Sequence, residues 1–211
     1  MRADLGFNHR FETGARASVR PLLVLHGTGG DENDLVPLAK MIAPGAAILS
    51  PRGKVLERGM PRFFRRLAEG VFDEADVRFR ANELADFVAA AREEYGIAAP
   101  VALGYSNGAN IAAAVMLLRP EALAGGILLR PMVPLADVAV AGALAGKGAL
   151  LLSGERDPIA GPAEGARLAA LLESAGATVT HQALAVGHEL SQGDVTLARQ
   201  WLQAAEAAPA A

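Results

Sequence analysis

Four short apolar runs, Leu22 to Leu25, Val101 to Leu103, Ile127 to Leu129 and Leu150 to Leu152, each lead into turn or glycine signals. No other feature restricts the fold as tightly. Polar residues do not alternate with the apolar ones, so both faces of each run must be covered, which is the pattern of buried parallel strands. Ala46 to Leu49 and Val179 to Leu184 are weaker candidates for further strands. Helical patterns lie between the runs. The clearest spans Val77 to Tyr95, where Val77, Leu84, Phe87, Val88, Ala91 and Tyr95 form one apolar stripe ahead of Gly96. Further helices are expected over Leu35 to Ile42, Asn107 to Leu118 before Arg119-Pro120, Ala163 to Ala175 before Gly176, and Leu190 to Ala205. Strands alternating with helices predict an α/β fold with a doubly wound, mostly parallel sheet flanked by helices.

A length of 211 residues suits one domain of this class, and no repeat or linker divides it. Pro51 to Ala75 reads as a long irregular segment. Its Met60, Phe63, Phe64 and Phe72 make it too apolar for disorder, and loops of that length inside a domain are usually functional. At the other end, Ala204 to Ala211 predicts a last helix that frays into a disordered tail from about residue 206. The apolar runs are too short to span a bilayer. Residues 1–16 include Arg2, Asp4, Arg10 and Glu12 without the apolar centre of a secretory signal, and the chain has no cysteine for disulfides, thiolate catalysis or metal sites. A cytoplasmic setting is therefore expected. A net charge of −3 and a pI near 5.8 give no basic footprint for nucleic acid or an anionic membrane, which leaves a small molecule as the expected partner.

The chemistry concentrates at Gly104-Tyr105-Ser106-Asn107-Gly108. With 23 glycines among 211 residues, a Gly-x-Ser-x-Gly pattern arises by chance roughly 0.07 times. Here it sits between a predicted strand and a predicted helix, the setting in which a serine is held on a sharp turn with its hydroxyl raised above the sheet. A serine hydroxyl needs a base and an orienting acid. In folds of this type both follow the serine in the chain, with the acid first. His181 falls inside a candidate strand, whereas His188 lies in the loop before the last helix and is the expected base. Asp157, directly after the strand Leu150 to Leu152, is the expected acid, with Asp137 second and Glu155 third. The glycine-rich loop from His26 to Leu35 follows a strand, and its Thr28 amide would join that of Asn107 as donors to a developing oxyanion.

The loop His26-Gly27-Thr28-Gly29-Gly30-Asp31-Glu32, the Ser106 elbow, the turn Gly154 to Pro158 and Gly187-His188 together resemble the phospholipase/carboxylesterase family of small α/β-hydrolases, over most of the chain. Phe63-Phe64-Arg65-Arg66 with Glu69 to Asp73 resembles a bacterial esterase branch of that family. The resemblance implies carboxylic ester hydrolysis without a cofactor. One departure bears on thioesterase activity towards acylated proteins, because the family's thioesterases usually have glutamine at the position of Asn107. Thioester, dienelactone, lyase or perhydrolysis chemistry on the same scaffold is the alternative, with a non-catalytic ligand-binding module further behind. Oligomeric state has no signature in the sequence, and the resemblance allows a homodimer.

No metal is expected. Asp31, Glu32 and Asp34 lack calcium-loop spacing and stand where helix caps and first-turn acids are favoured. Gly27-Thr28-Gly29-Gly30 lacks the Gly-Lys-Ser/Thr end of a phosphate loop. Met60, Phe63, Phe64, Phe72 and Met132 are the expected apolar wall of a substrate pocket, with packing of some of them in the core or a dimer contact as the equal alternative. Arg62, Arg65 and Arg66 read as solvated surface charge, with steering of an acidic substrate as the alternative.

Overall fold

The computed structural model describes residues 5–16, 18–138 and 141–207. In chain order these form β1 (His9–Glu12), β2 (Leu22–Leu25), α1 (Val36–Ile42), β3 (Ile48–Pro51) and four short strands, β4 (Val55–Glu57), β5 (Met60–Arg62), β6 (Arg66–Ala68) and β7 (Val71–Phe72). There follow α2 (Glu74–Tyr95), β8 (Val101–Tyr105), α3 (Asn107–Leu118), β9 (Gly125–Leu129), β10 (Gly148–Gly154), α4 (Pro162–Ser174), β11 (Thr178–Leu184) and α5 (Gln192–Ala207).

Seven of the strands make one sheet in the order β1-β3-β2-β8-β9-β10-β11. All neighbours pair in parallel except β1, which runs antiparallel to β3. Residues of a strand feed opposite faces in alternation. Leu23 and Leu25 of β2 join the core built with α2, α3 and α4, while Leu22 and Val24 join the one built with α1 and α5. Burying each such leucine contributes about 1.5–3 kcal/mol relative to leaving it in water, which is why the wholly apolar runs become inner strands.

Helix limits follow local chemistry. α2 starts three residues before the apolar stripe because the Asp73 side chain accepts from the Asp76 amide at 3.2 Å, and it ends where Gly96 adopts φ +63°. α5 includes Glu206 and Ala207, so the expected tail does not begin there, and residues 208–211 lie outside the described ones. Among the described residues no helix is long and apolar enough to cross a membrane.

Two features differ from the sequence expectations. β1 is half-exposed at the sheet edge and mixes polar with apolar residues, so it carries no apolar run. It is anchored by Phe11, whose ring stacks on Tyr95 at 3.9 Å, and by a 2.7 Å hydrogen bond between His9 Nε2 and the Tyr95 hydroxyl. The segment Pro51 to Ala75 is not irregular. It folds into two hairpins, β4-β5 and β6-β7. In the first, Arg58 and Gly59 both have positive φ (+53° and +82°) between the paired residues Glu57 and Met60, the geometry of a tight two-residue turn. Strands of two or three residues are too short for any periodicity to reveal them.

Candidate active site

Ser106 stands between β8 and α3 with φ +53° and ψ −115°, a conformation that costs a non-glycine residue about 1–3 kcal/mol. The surroundings enforce it. The Ser106 amide donates to Leu129 O at 2.8 Å, its carbonyl accepts from the Asn110 amide at 3.0 Å, and the flanking glycines let three backbones pass at distances no side chain permits. A β-carbon on Gly104 would sit 2.5 Å from Gly108 O, and one on Gly108 would sit 2.0 Å from Leu25 O. Both glycines of the pentapeptide are therefore steric requirements of the turn.

The loops beyond the carboxyl ends of β10 and β11 bring the other two expected residues to the serine. His188 Nε2 lies 3.0 Å from Ser106 Oγ, and His188 Nδ1 lies 2.7 Å from Asp157 Oδ2. Asp157 Oδ1 accepts from the amides of Ile159 (2.8 Å) and Ala160 (3.0 Å). Burial by itself would raise the Asp157 pKa, but those two amides and the His188 hydrogen bond outweigh it and hold the carboxyl below its usual value. An ionised Asp157 accepts only, so Nδ1 carries the proton and Nε2 presents its lone pair to the serine hydroxyl. His181, by contrast, bonds Ser153 Oγ at 3.0 Å, and burial lowers its pKa. Among the described residues, neither Asp137 nor Glu155, the second and third choices for the acid, forms a hydrogen bond or ion pair with His188, whose acidic partner is Asp157.

Thr28 and Asn107 line the same cavity as Ser106. Among the described residues neither amide N–H has a hydrogen-bond partner, so both are available to an oxyanion. Asn107 also ties the site together. Its side-chain oxygen accepts from the Phe63 amide at 2.7 Å, and one helical turn on, Asn110 Oδ1 accepts from the Met132 amide at 2.7 Å. The first turn of α3 thus holds both segments that flank the serine. The acidic residues of the glycine-rich loop serve local structure: Asp31 Oδ1 accepts from the Asn33 amide at 2.7 Å, and Glu32 pairs with Arg52.

Three successive carbonyls around His188 are each held by a side chain. Arg130 Nε donates to Gly187 O at 3.1 Å, the Tyr105 hydroxyl to His188 O at 3.0 Å, and Arg130 Nη2 to Glu189 O at 2.7 Å. Arg130 and Asp194 are both 0% exposed, and the guanidinium meets both carboxylate oxygens, at 2.7 and 3.0 Å. Asp194 also accepts from the amide and hydroxyl of Ser191, so the pair fixes the stretch between His188 and the start of α5.

The cavity beside Ser106 measures about 230 Å³, and Phe72, Met132 and Ile159 supply its apolar wall. Three of the expected pocket residues are elsewhere. Phe63 and Phe64 are buried, 3% and 0% exposed, in the core cluster that also contains the inner faces of α2 and α3. Met60 is 40% exposed and lies against Gly29 outside the cavity.

No protein-family model matches the chain. A curated relative does: the putative hydrolase MhqD of Bacillus subtilis (strain 168) is 42% identical over 199 residues, covering 93% of this chain and 98% of the relative. The chain belongs to the phospholipase/carboxylesterase family of α/β-hydrolases. Solved structures agree with that membership. The Bacillus cereus carboxylesterase superposes with a TM-score of 0.91 at 48% identity over 94% of each chain. A carboxylesterase from Mesorhizobium loti does so with a TM-score of 0.89 at 34% identity, covering 95% of this chain and 96% of its own. The protein is a hydrolase of the esterase type.

In this hydrolase the structure places Ser106, His188 and Asp157 in one hydrogen-bonded line and brings Thr28, Asn107, Phe72 and Met132 to the cavity beside it. Arg130, Asp194 and Tyr105 carry no motif that singles them out. The available signal is chemical: Arg130 is a charged residue ending the apolar run Ile127 to Leu129, a place that needs a buried counter-charge. Arg62 corrects an expectation, since it is 3% exposed and not a solvated charge.

Proposed function

We propose that the protein hydrolyses carboxylic esters of small or medium acyl groups through an acyl-enzyme formed on Ser106. The observation that carries this reading is the unbroken line Asp157–His188–Ser106, with 2.7 and 3.0 Å separations. Ser106 Oγ attacks the ester carbonyl carbon as His188 Nε2 takes the hydroxyl proton. The amides of Thr28 and Asn107 receive the charge that develops on the carbonyl oxygen. Collapse of the tetrahedral adduct breaks the bond to the alcohol, which leaves with the proton from His188. Water then adds to the acyl-enzyme, giving its proton to the same nitrogen, and the carboxylic acid departs as Ser106 is reprotonated. Asp157 holds the imidazole in its tautomer and stabilises the positive charge that His188 carries between taking up and releasing each proton.

The testing experiment is labelling with a fluorophosphonate probe, wild type against Ser106→Ala, alongside p-nitrophenyl esters of increasing acyl length and matched acyl thioesters. The expected result is labelling and ester turnover that both vanish with Ser106. Labelling that persists in Ser106→Ala would remove the serine from its role, and faster turnover of thioesters than of esters would reassign the substrate class.

A further inference from the structure

The cavity that holds Ser106 also has a cationic wall, formed by Arg62 of β5 and Arg66 of β6. Burying a guanidinium is costly unless a counter-charge accompanies it. Among the described residues, Glu57 of β4 is the one acid that pairs with these two arginines. Arg66 Nε reaches its two carboxylate oxygens at 3.0 and 3.1 Å, and Arg62 Nε lies 3.3 Å from one of the same oxygens. One negative charge therefore serves two positive ones. The other partners of Arg62 are neutral: Nη1 donates to Thr28 Oγ1 at 2.6 Å and Nε to Phe64 O at 3.2 Å. Burial, and after it the charge of Arg66, lowers the Arg62 pKa from the usual arginine value, as expected for a cation short of counter-charge.

The other acids nearby do not complete the balance. Glu69 lines the cavity from the β6-β7 turn but is exposed, where water and salt screen it. Asp157 faces His188 and the two amides that bind it. An anionic group on the substrate would supply what is missing, and a carboxylate matches the planar fork of a guanidinium. Arg62 also touches Thr28, so a carboxylate bound there would lie next to the loop that carries one oxyanion donor.

We propose that the preferred substrates are esters bearing a carboxylate, which seats against Arg62 and Arg66 while the ester carbonyl reaches Ser106. The inference rests on the esterase reading above. The test compares kcat/KM for p-nitrophenyl hydrogen glutarate with that for p-nitrophenyl valerate, its uncharged counterpart of equal chain length, after subtracting spontaneous hydrolysis. The wild type is expected to favour the anionic ester by about tenfold or more, through KM, with the preference shrinking as salt is added. Arg62→Gln and Arg66→Gln should each lower kcat/KM for the anionic ester several-fold more than for the neutral one. Arg66, which is partly exposed, keeps the test valid should replacing Arg62 prevent folding. Ser106-dependent turnover of the valerate without preference for the glutarate, or a preference that survives both substitutions, overturns the carboxylate site and leaves the esterase reading standing. Failure to hydrolyse either ester overturns both.

Discussion

The buried pair of Arg130 and Asp194 allows stability and catalysis to be separated. Removing Asp194 alone, as in Asp194→Leu, strands a guanidinium that is 0% exposed, a change that costs about 3–5 kcal/mol. For a chain of this size each kcal/mol shifts the melting temperature by about 2–4 °C, so a drop of roughly 6–20 °C is expected. The double variant Arg130→Met/Asp194→Leu removes both charges and fills their space with apolar groups, so it should melt above the single variant. Activity should not follow. Gly187 O and Glu189 O, on either side of His188, lose the donors at 3.1 and 2.7 Å that hold them. A displacement of about 1 Å at a catalytic group costs up to about 100-fold in rate, so kcat should stay about 10–100-fold low in the double variant. KM should change little, because neither residue lines the cavity. Scanning fluorimetry and initial rates on a neutral p-nitrophenyl ester, taken well below the lowest melting temperature, measure both quantities. Wild-type kcat in the double variant would refute the positioning role, and an Asp194→Leu protein that melts with the wild type would refute the argument from buried charge.

Three shorter expectations accompany it. Asp157→Asn preserves shape but supports the wrong imidazole tautomer, and kcat should fall by about 10³–10⁴-fold; a loss under tenfold, read from steady-state rates, would contradict that role. Phe64→Ala should destabilise by about 3–5 kcal/mol in denaturant titrations with no change in acyl-length preference, whereas Met132→Ala should alter that preference. Burial holds His26 and His181 below the ordinary value of 6.5, so on acidification the unfolded chain takes up protons before the native one does. Their contribution to stability is complete above pH 6.5 and is lost as pH falls through the native values. Chemical denaturation at several pH values should show that decline, reduced in His181→Gln, and stability that rises on acidification in this window would reverse the argument.

Both the sheet and the candidate site are readable in the chain because each leaves a local mark. Leu22 to Leu25 and Ile127 to Leu129 are apolar without alternation, so only inner strands suit them, and Ser106, Asp157 and His188 each follow such a strand or a weaker candidate in the required order. What is not readable depends on partners distant in sequence. Phe63 and Phe64 are indistinguishable as letters from pocket residues, and only the packing of α2 and α3 places them in the core. Arg62 resembles its neighbours Arg65 and Arg66 until the β4-β5 hairpin turns it inward. Arg130 gains its meaning from Asp194, 64 residues later.

The two amide side chains on the first turn of α3 have a consequence for grafting. Because Asn107 and Asn110 hold the backbone at Phe63 and Met132, the walls of the cavity are keyed to the helix that follows Ser106. Hairpins transplanted from a relative with a different residue at position 107 would arrive without their lock, leaving the Phe63 amide unmatched in a buried site. A chimera that exchanges residues 55–72 together with 107 and 110 carries lock and key as one cassette, and substrate range in this scaffold should transfer only in that form.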